Sequence, residues 1–177
     1  MSGHSKWSQI KHQKGVTDQK RGVLFSKLLA AITAAAKTEA DPNFNPRLRD
    51  CVQKAKDALV PADNIERAIK KAADASESMD ELLCEAYGPG GAALLIEAIT
   101  DNRNRTIPQI KKILADNAGK WAETGSVLWA FEKQGREWTA KLPQESTRED
   151  GEKLAALIKA IEDHEDVQRV VTNSNSR

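Results

Sequence analysis

His4, Lys6, Trp7, Lys11, His12, Lys14, Lys20 and Arg21 all fall in the first 21 residues, opposed by one acid, Asp18. Side chains of this kind meet phosphate: ammonium and guanidinium groups displace counterions from a polyanion, and imidazoles add hydrogen-bond donors. Trp7 adds an aromatic face, which either stacks on an unpaired base or folds back to plug an apolar core. A second cluster, "TDNRNRT" at residues 100–106, sets Arg103, Asn104 and Arg105 where a strand gives way to a helix. Forked guanidiniums and amides there suit phosphate or base edges. The alternative is internal, with Asp101 pairing one arginine and an asparagine shaping the turn. Lys70 and Lys71, at the end of "DNIERAIKK", complete the candidate nucleic-acid-binding set.

Other chemistry finds little support. "YGPGG" lacks the Lys and Ser or Thr of a phosphate loop, and "NAGKW" has Trp121 where a hydroxyl belongs. Gly88, Gly90 and Gly91 fit a tight turn instead. The three histidines and the two cysteines, Cys51 and Cys84, have no metal-ligand spacing, so no metal and no disulfide framework is expected. No nucleophilic constellation emerges from spacing. The expectation is a protein that is not an enzyme and needs no cofactor.

The elements that must carry these residues divide near residue 76. Residues 1–75 hold 14 Lys and Arg against 8 Asp and Glu, a net +6, and the remainder holds 13 against 18, a net −5. The basic surface therefore belongs to the first part. Residues 1–16 are too polar to fold alone and read as a basic N-terminal arm. Leu24, Phe25, Leu28, Leu29 and Ile32 give a helix from Thr17 to Thr38. Asn45 and Pro46 open a second, with Leu48, Val52, Ala55 and Leu59 inward, and Asp63 with Glu66 boxes a third. Residues 17–75 thus form a helical domain, and 76–81 a linker.

Residues 82–177 change class. "LLCEAYG" and "AALLIEAIT" read as strands around "GPGG", Thr106 caps a helix, "SVLWAFEK" and "REWTAKL" make a hairpin, and Ser146 with Glu149 starts a last helix before "VQRVVTN". From residue 91 the order is strand, helix, strand, strand, helix, strand, the split order of a ferredoxin-like sandwich, with the strand before Gly88 as an addition. The fold class is α+β: a three-helix domain followed by a ferredoxin-like sandwich with an antiparallel sheet. The longest apolar run is far below the roughly 20 residues that span a bilayer. A cytoplasmic protein with no membrane partner is expected.

"GHSKW", "KRG", "NPRL", "DNIERAIKK", "YGPGG", "TDNRNRT" and "GSV" followed by Phe131 together resemble the YebC/PmpR family, which includes the mitochondrial translational activator of cytochrome c oxidase I. The likeness runs from Gly3 to about Glu132 and resumes in "LAALIKAIEDHEDVQRVV". It implies a helical domain and two ferredoxin-like domains, the third inserted in the second. Here only "KQGREWTAKLPQESTRED" stands at the insertion point, so the chain is similar to a member lacking that domain. "GKWAETGSV" also departs from the glycine- and asparagine-containing turn usual in the family.

The resemblance implies two functions. One is a ribosome-binding translation factor that assists peptide-bond formation or relieves stalling at proline-rich stretches, with large-subunit rRNA, and with it tRNA, as partner. The other is a DNA-binding transcriptional regulator on duplex DNA. Basic residues in an extended arm and a loop suit threading among rRNA backbones better than reading a groove, so the ribosomal reading leads. A ferredoxin-like small-molecule sensor stands a distant third, and a monomer is expected.

Overall fold

A computed structural model describes residues 3–74 and 79–176, with side chains from Thr17 to Asn175. The helical unit comprises α1 (Gly3–Ala36), α2 (Pro46–Asp57) and α3 (Ala62–Lys71). Ile32, Ala35 and Ala36 of α1 meet Leu48, Ala55, Val60, Ile65 and Ala68, flanked by Phe25, Leu28 and Leu29. Helix α1 starts at Gly3, well before the apolar periodicity begins. Once the packed half has nucleated, each further turn costs little, and no proline interrupts the chain before Pro42. The expected arm is thus helical in backbone from Gly3, and its side chains lie outside the described residues.

Asn45 shows why "NPRL" follows a helix. It is buried; its side-chain oxygen accepts from Leu48 N at 3.0 Å, capping α2, and its amide donates to Ala35 O at 2.9 Å in the last turn of α1. One side chain thereby satisfies orphan groups at two helix ends. Two local expectations need correction. Leu59 is not inward: it takes a left-handed conformation (φ 63°) and is exposed, while Val60 enters the core. Asp63 and Glu66 do not box α3, whose N-cap is Pro61; Asp63 instead sits in the first turn, where the helix dipole favours an acid.

Residues 76–78 of the expected linker lie outside the described residues, and Asp80 already opens β1 (Asp80–Tyr87). After it come β2 (Ala93–Thr100), α4 (Arg103–Asp116), β3 (Lys120–Ala122), the hairpin β4 (Phe131–Gln134) and β5 (Glu137–Ala140), β6 (Gln144–Ser146), α5 (Arg148–Glu162), β7 (Val167–Thr172) and β8 (Ser174–Ser176). The main sheet is antiparallel in the order β3-β1-β2-β7. Leu82, Cys84, Ala86, Leu94 and Ile96 face α4 and α5, meeting Ile110, Leu114, Leu154, Leu157 and Ile161. The protein is α+β, with its helices first and an antiparallel sandwich after them.

The strand before Gly88 is no addition. Strand β1 fills the inner position between β2 and β3 that the "SVLWAFEK" hairpin was expected to supply. The hairpin forms its own two-stranded sheet on the opposite face, where Phe131 covers Ala93, Leu95 and Val171. Eight alternating residues of β1 bury a full face, whereas β4 buries only Phe131. The turn between β1 and β2 needs its glycines. A Cβ at Gly88 would lie 2.7 Å from Leu154 Cδ1, and Gly90 has φ +69°. The caps of α4 and α5 are Asn102 and Thr147, each accepting from a backbone N–H three residues on, rather than Thr106 and Ser146.

Glu85, on the hairpin-facing side of β1, is only 4% exposed. Its carboxylate accepts from the backbone N–H groups of Gly125, Val127 and Leu128 at 2.5, 2.7 and 3.0 Å. This fixes the loop between β3 and β4. Glu85→Ala leaves those donors unpaired and should cost about 3 kcal/mol of stability in urea unfolding; a change below about 0.5 kcal/mol would show that water replaces the carboxylate freely.

Candidate nucleic-acid interface

The first half of α1 precedes the helical core, which begins at Phe25. Residues 17–22 are all exposed, Lys20 and Arg21 among them, and the Arg21 guanidinium lies 5.1 Å from the Phe25 ring centre. The side chains of His4, Lys6, Trp7, Lys11, His12 and Lys14 lie outside the described residues, on a backbone continuous with this helix. Thirty-four residues at about 1.5 Å each make α1 roughly 50 Å long.

Two contacts from the far end of the chain fix the direction of α1. Lys27 Nζ donates to the carbonyl of Glu162 at the C-terminus of α5, and Gln168 Nε2 donates to Lys27 O at 3.3 Å. Desolvation lowers the Lys27 pKa, opposed by Glu162 and Asp163. A lysine on the last carbonyls of a helix also meets the negative end of its dipole. Sequence reasoning could not find this pair, because 135 and 141 residues separate the partners. Lys70 and Lys71 stand in the last turn of α3, Lys70 exposed and Lys71 half-buried.

The "TDNRNRT" segment separates its two arginines. Arg103 and Asn104 face solvent, and Arg103 Nε is 4.0 Å from Asp80 Oδ2, both side chains about half exposed. Arg105 turns inward. Its Nη2 lies 2.9 Å from both Asp101 Oδ1 and Asp166 Oδ2, and 3.3 Å from Thr100 Oγ1. Thr106, fully buried, donates to the same Asp166 oxygen, and the Thr100 and Thr106 hydroxyls are 2.8 Å apart. Arg105 therefore ties the start of α4 to the approach of β7, with its guanidinium engaged by two carboxylates. The sequence offers Asp101 as a partner for one of the two arginines, whereas Asp166, 61 residues from Arg105, carries no local signal.

The electrostatics follow from burial. Burial pushes the Asp166 carboxyl up, but hydrogen bonds from Thr106 and Arg105, with the Arg105 charge, more than offset it and leave the pKa lowered. Desolvation lowers the His164 pKa, against Asp166 and Glu165. His164 Nδ1 accepts from Asp166 N at 3.1 Å and Nε2 lies 2.9 Å from Gln109 Oε1, an arrangement that suits the neutral ring. Among the described residues no group of His, Cys, Asp or Glu could hold a metal, and no helix is long and apolar enough to cross a membrane. Cys51 is half-buried and Cys84 buried, both free thiols.

Residues 5–75 match the model of the TACO1/YebC protein N-terminal domain, and residues 79–138 that of the TACO1/YebC second and third domain. The chain is 49% identical over 166 residues to a "Probable transcriptional regulatory protein" of Pelodictyon phaeoclathratiforme, covering 92% of this chain and 65% of that one. It is 52% identical over 138 residues to another so named from Geobacter sulfurreducens, covering 76% and 56%. The chain thus spans between a half and two thirds of these relatives. Its fold matches the crystal structure of a conserved hypothetical protein of Aquifex aeolicus with a TM-score of 0.83 at 28% identity, covering 89% of this chain and 91% of that one.

The divided roles of the two arginines are measurable. Arg105→Ala and Asp166→Asn should each cost about 1–3 kcal/mol in urea unfolding, and together less than the sum, because both break one network. Arg103→Ala should cost below about 0.5 kcal/mol. Equal losses at Arg103 and Arg105 would sink the distinction. Because the His164 pKa is lowered on folding, the unfolded chain takes up the proton first as pH falls through about 6.5. Stability should therefore decline below that pH, and His164→Gln should flatten that part of the profile.

Proposed function

The chain belongs to the TACO1/YebC family, and from that membership we propose that it is a nucleic-acid-binding regulatory protein gripping phosphate with the first half of α1. The observation that carries this is the helix itself. Its core-forming half is held by Asn45, Lys27 and Gln168, while the preceding stretch bears Lys6, Lys11, Lys14, Lys20 and Arg21 against Asp18 alone. A helix already formed loses less chain entropy on binding than a flexible arm would. Arg103, Asn104, Lys70 and, beside it, Lys71 extend the candidate surface beyond α1.

The names of the relatives support transcription as the process regulated, for which duplex DNA would be the ligand. A single helix also fits the roughly 12 Å major groove. A second reading, the ribosome, is favoured by one observation. The basic positions 6, 11, 14, 20 and 21 cover about half the circumference of an ideal helix at about 100° per residue. A face that broad can meet phosphates on two sides at once, as among packed rRNA backbones. On that reading the protein assists peptide-bond formation at proline-rich stretches by positioning substrates, and the ribosome supplies the chemistry.

Both readings rest on phosphate contacts, so affinity should fall steeply with salt. Replacing Lys20 and Arg21 together with alanine should weaken binding to every sequence and reduce the salt slope by about 2. Anisotropy on random duplex DNA and cosedimentation with ribosomal subunits, run side by side across one salt series, compare the ligands. Binding indifferent to salt and to these substitutions would remove the proposal. Retention on large subunits at salt that abolishes duplex binding selects the ribosome, and tight binding to a preferred duplex sequence selects transcription.

A further inference from the structure

Tyr87 and Trp129 are exposed aromatics that belong to none of the three apolar clusters, with 36% and 60% of their surfaces in solvent. Tyr87 ends β1 on the sheet face opposite α4 and α5, and Trp129 stands in the short helical turn before β4. Their polar edges converge on one atom. The Tyr87 hydroxyl donates to Ser126 O at 3.1 Å and the Trp129 indole N–H donates to the same oxygen at 2.7 Å. Ser126 lies between the residues that Glu85 grips, so the carboxylate, the loop and both rings form one hydrogen-bonded unit. The other large exposed apolar side chains among the described residues, Leu24, Phe44, Leu59, Leu83 and Leu142, have no polar edge to be held this way.

The arrangement has a chemical meaning. A ring fixed at its polar edge, with that edge already satisfied, offers its face and asks for no further hydrogen bond. Lys120 adds a charge: it is exposed, and it lies directly opposite Tyr87 in the β1–β3 pairing, which puts both side chains on the same face. Lys120 has no ion-pair partner among the described residues. Two tethered aromatics beside a free ammonium are the components of single-strand recognition, where bases stack on rings and the backbone meets cations.

We propose that Tyr87 and Trp129 form a stacking platform for unpaired nucleobases, with Lys120 holding the adjoining phosphate. The platform rests on the nucleic-acid reading above and adds to it a preference for unpaired strands. It uses a surface independent of α1. Glu85 is its positioning residue, holding the loop without touching the ligand.

The test uses the full chain and two labelled probes of one sequence, a single-stranded RNA of about 12 nucleotides and its blunt duplex. Trp129→Ala should weaken single-strand binding by about 5- to 100-fold, Tyr87→Ala should do so less, and Trp129→Phe should retain most of the affinity. Duplex binding, carried by α1, should change by less than about twofold in each variant. Unfolding curves of the variants check that the fold stands. Unchanged single-strand binding in Trp129→Ala, or equal losses on both probes, overturns the platform and leaves the nucleic-acid reading intact. So does an intact protein that binds only the duplex. An intact protein that binds neither probe, nor ribosomes, overturns both.

Discussion

The packing of the second half of α1 is the constraint from which the remaining geometry follows. Ile32 is fully buried and Ala35 nearly so, and Thr33 donates to Ala68 O at 3.0 Å, binding α1 to the end of α3. Asn45 closes the other side, joining α1 to α2. Lys27 and Gln168 then attach the same helix to the sandwich. One rod thus serves as core, interdomain brace and carrier of the basic segment. Because a helix transmits direction along its axis, the contacts of residues 25–36 set where the basic half points. Loosening them would redirect the basic segment without altering any residue that meets a ligand.

The sandwich is arranged to receive that rod. Ser26 and Ala30 of α1 share a cleft with Asp101, Arg105 and Asp166. The Arg105 network therefore forms part of the floor on which α1 rests. This changes the meaning of "TDNRNRT". Its first half presents Arg103 and Asn104 outward, while its second half spends Arg105 and Thr106 on internal bonds. A motif whose two arginines look alike in sequence is thus divided between surface and support.

What could be read from the sequence follows the range of the interactions. Asn45 with Pro46, the apolar stripe of α1 and the "GPGG" turn are local patterns, and each appears in the structure, whereas β3, β6 and β8, three residues each, are too short to carry one. The inner place of β1 was missed because strand order in a sheet depends on which faces bury most surface. A strand with inward Leu82, Cys84 and Ala86 outcompetes a hairpin that buries Phe131 alone. Glu85 was missed for a similar reason. In "LLCEAYG" an acid at an alternating position reads as solvent-facing, and only the later loop, 40 residues on, turns its environment into a nest of N–H groups. Leu59 shows the opposite error, since an apolar residue at the right spacing fell past the end of its helix and into solvent.

The loop "GKWAETGSV" joins these threads. It is neither slack nor unsupported, because a buried carboxylate is costly unless its oxygens are satisfied and here three backbone donors meet them. That order extends outward to Ser126 and, through its carbonyl, to two aromatic edges. A fold that needed only solubility at this surface would gain nothing by exposing 60% of a tryptophan. The geometry reverses the usual relation between core and surface: the buried charge holds the loop, and the apolar rings face the solvent. That inversion is intelligible when the rings have a flat, sequence-tolerant partner to cover them.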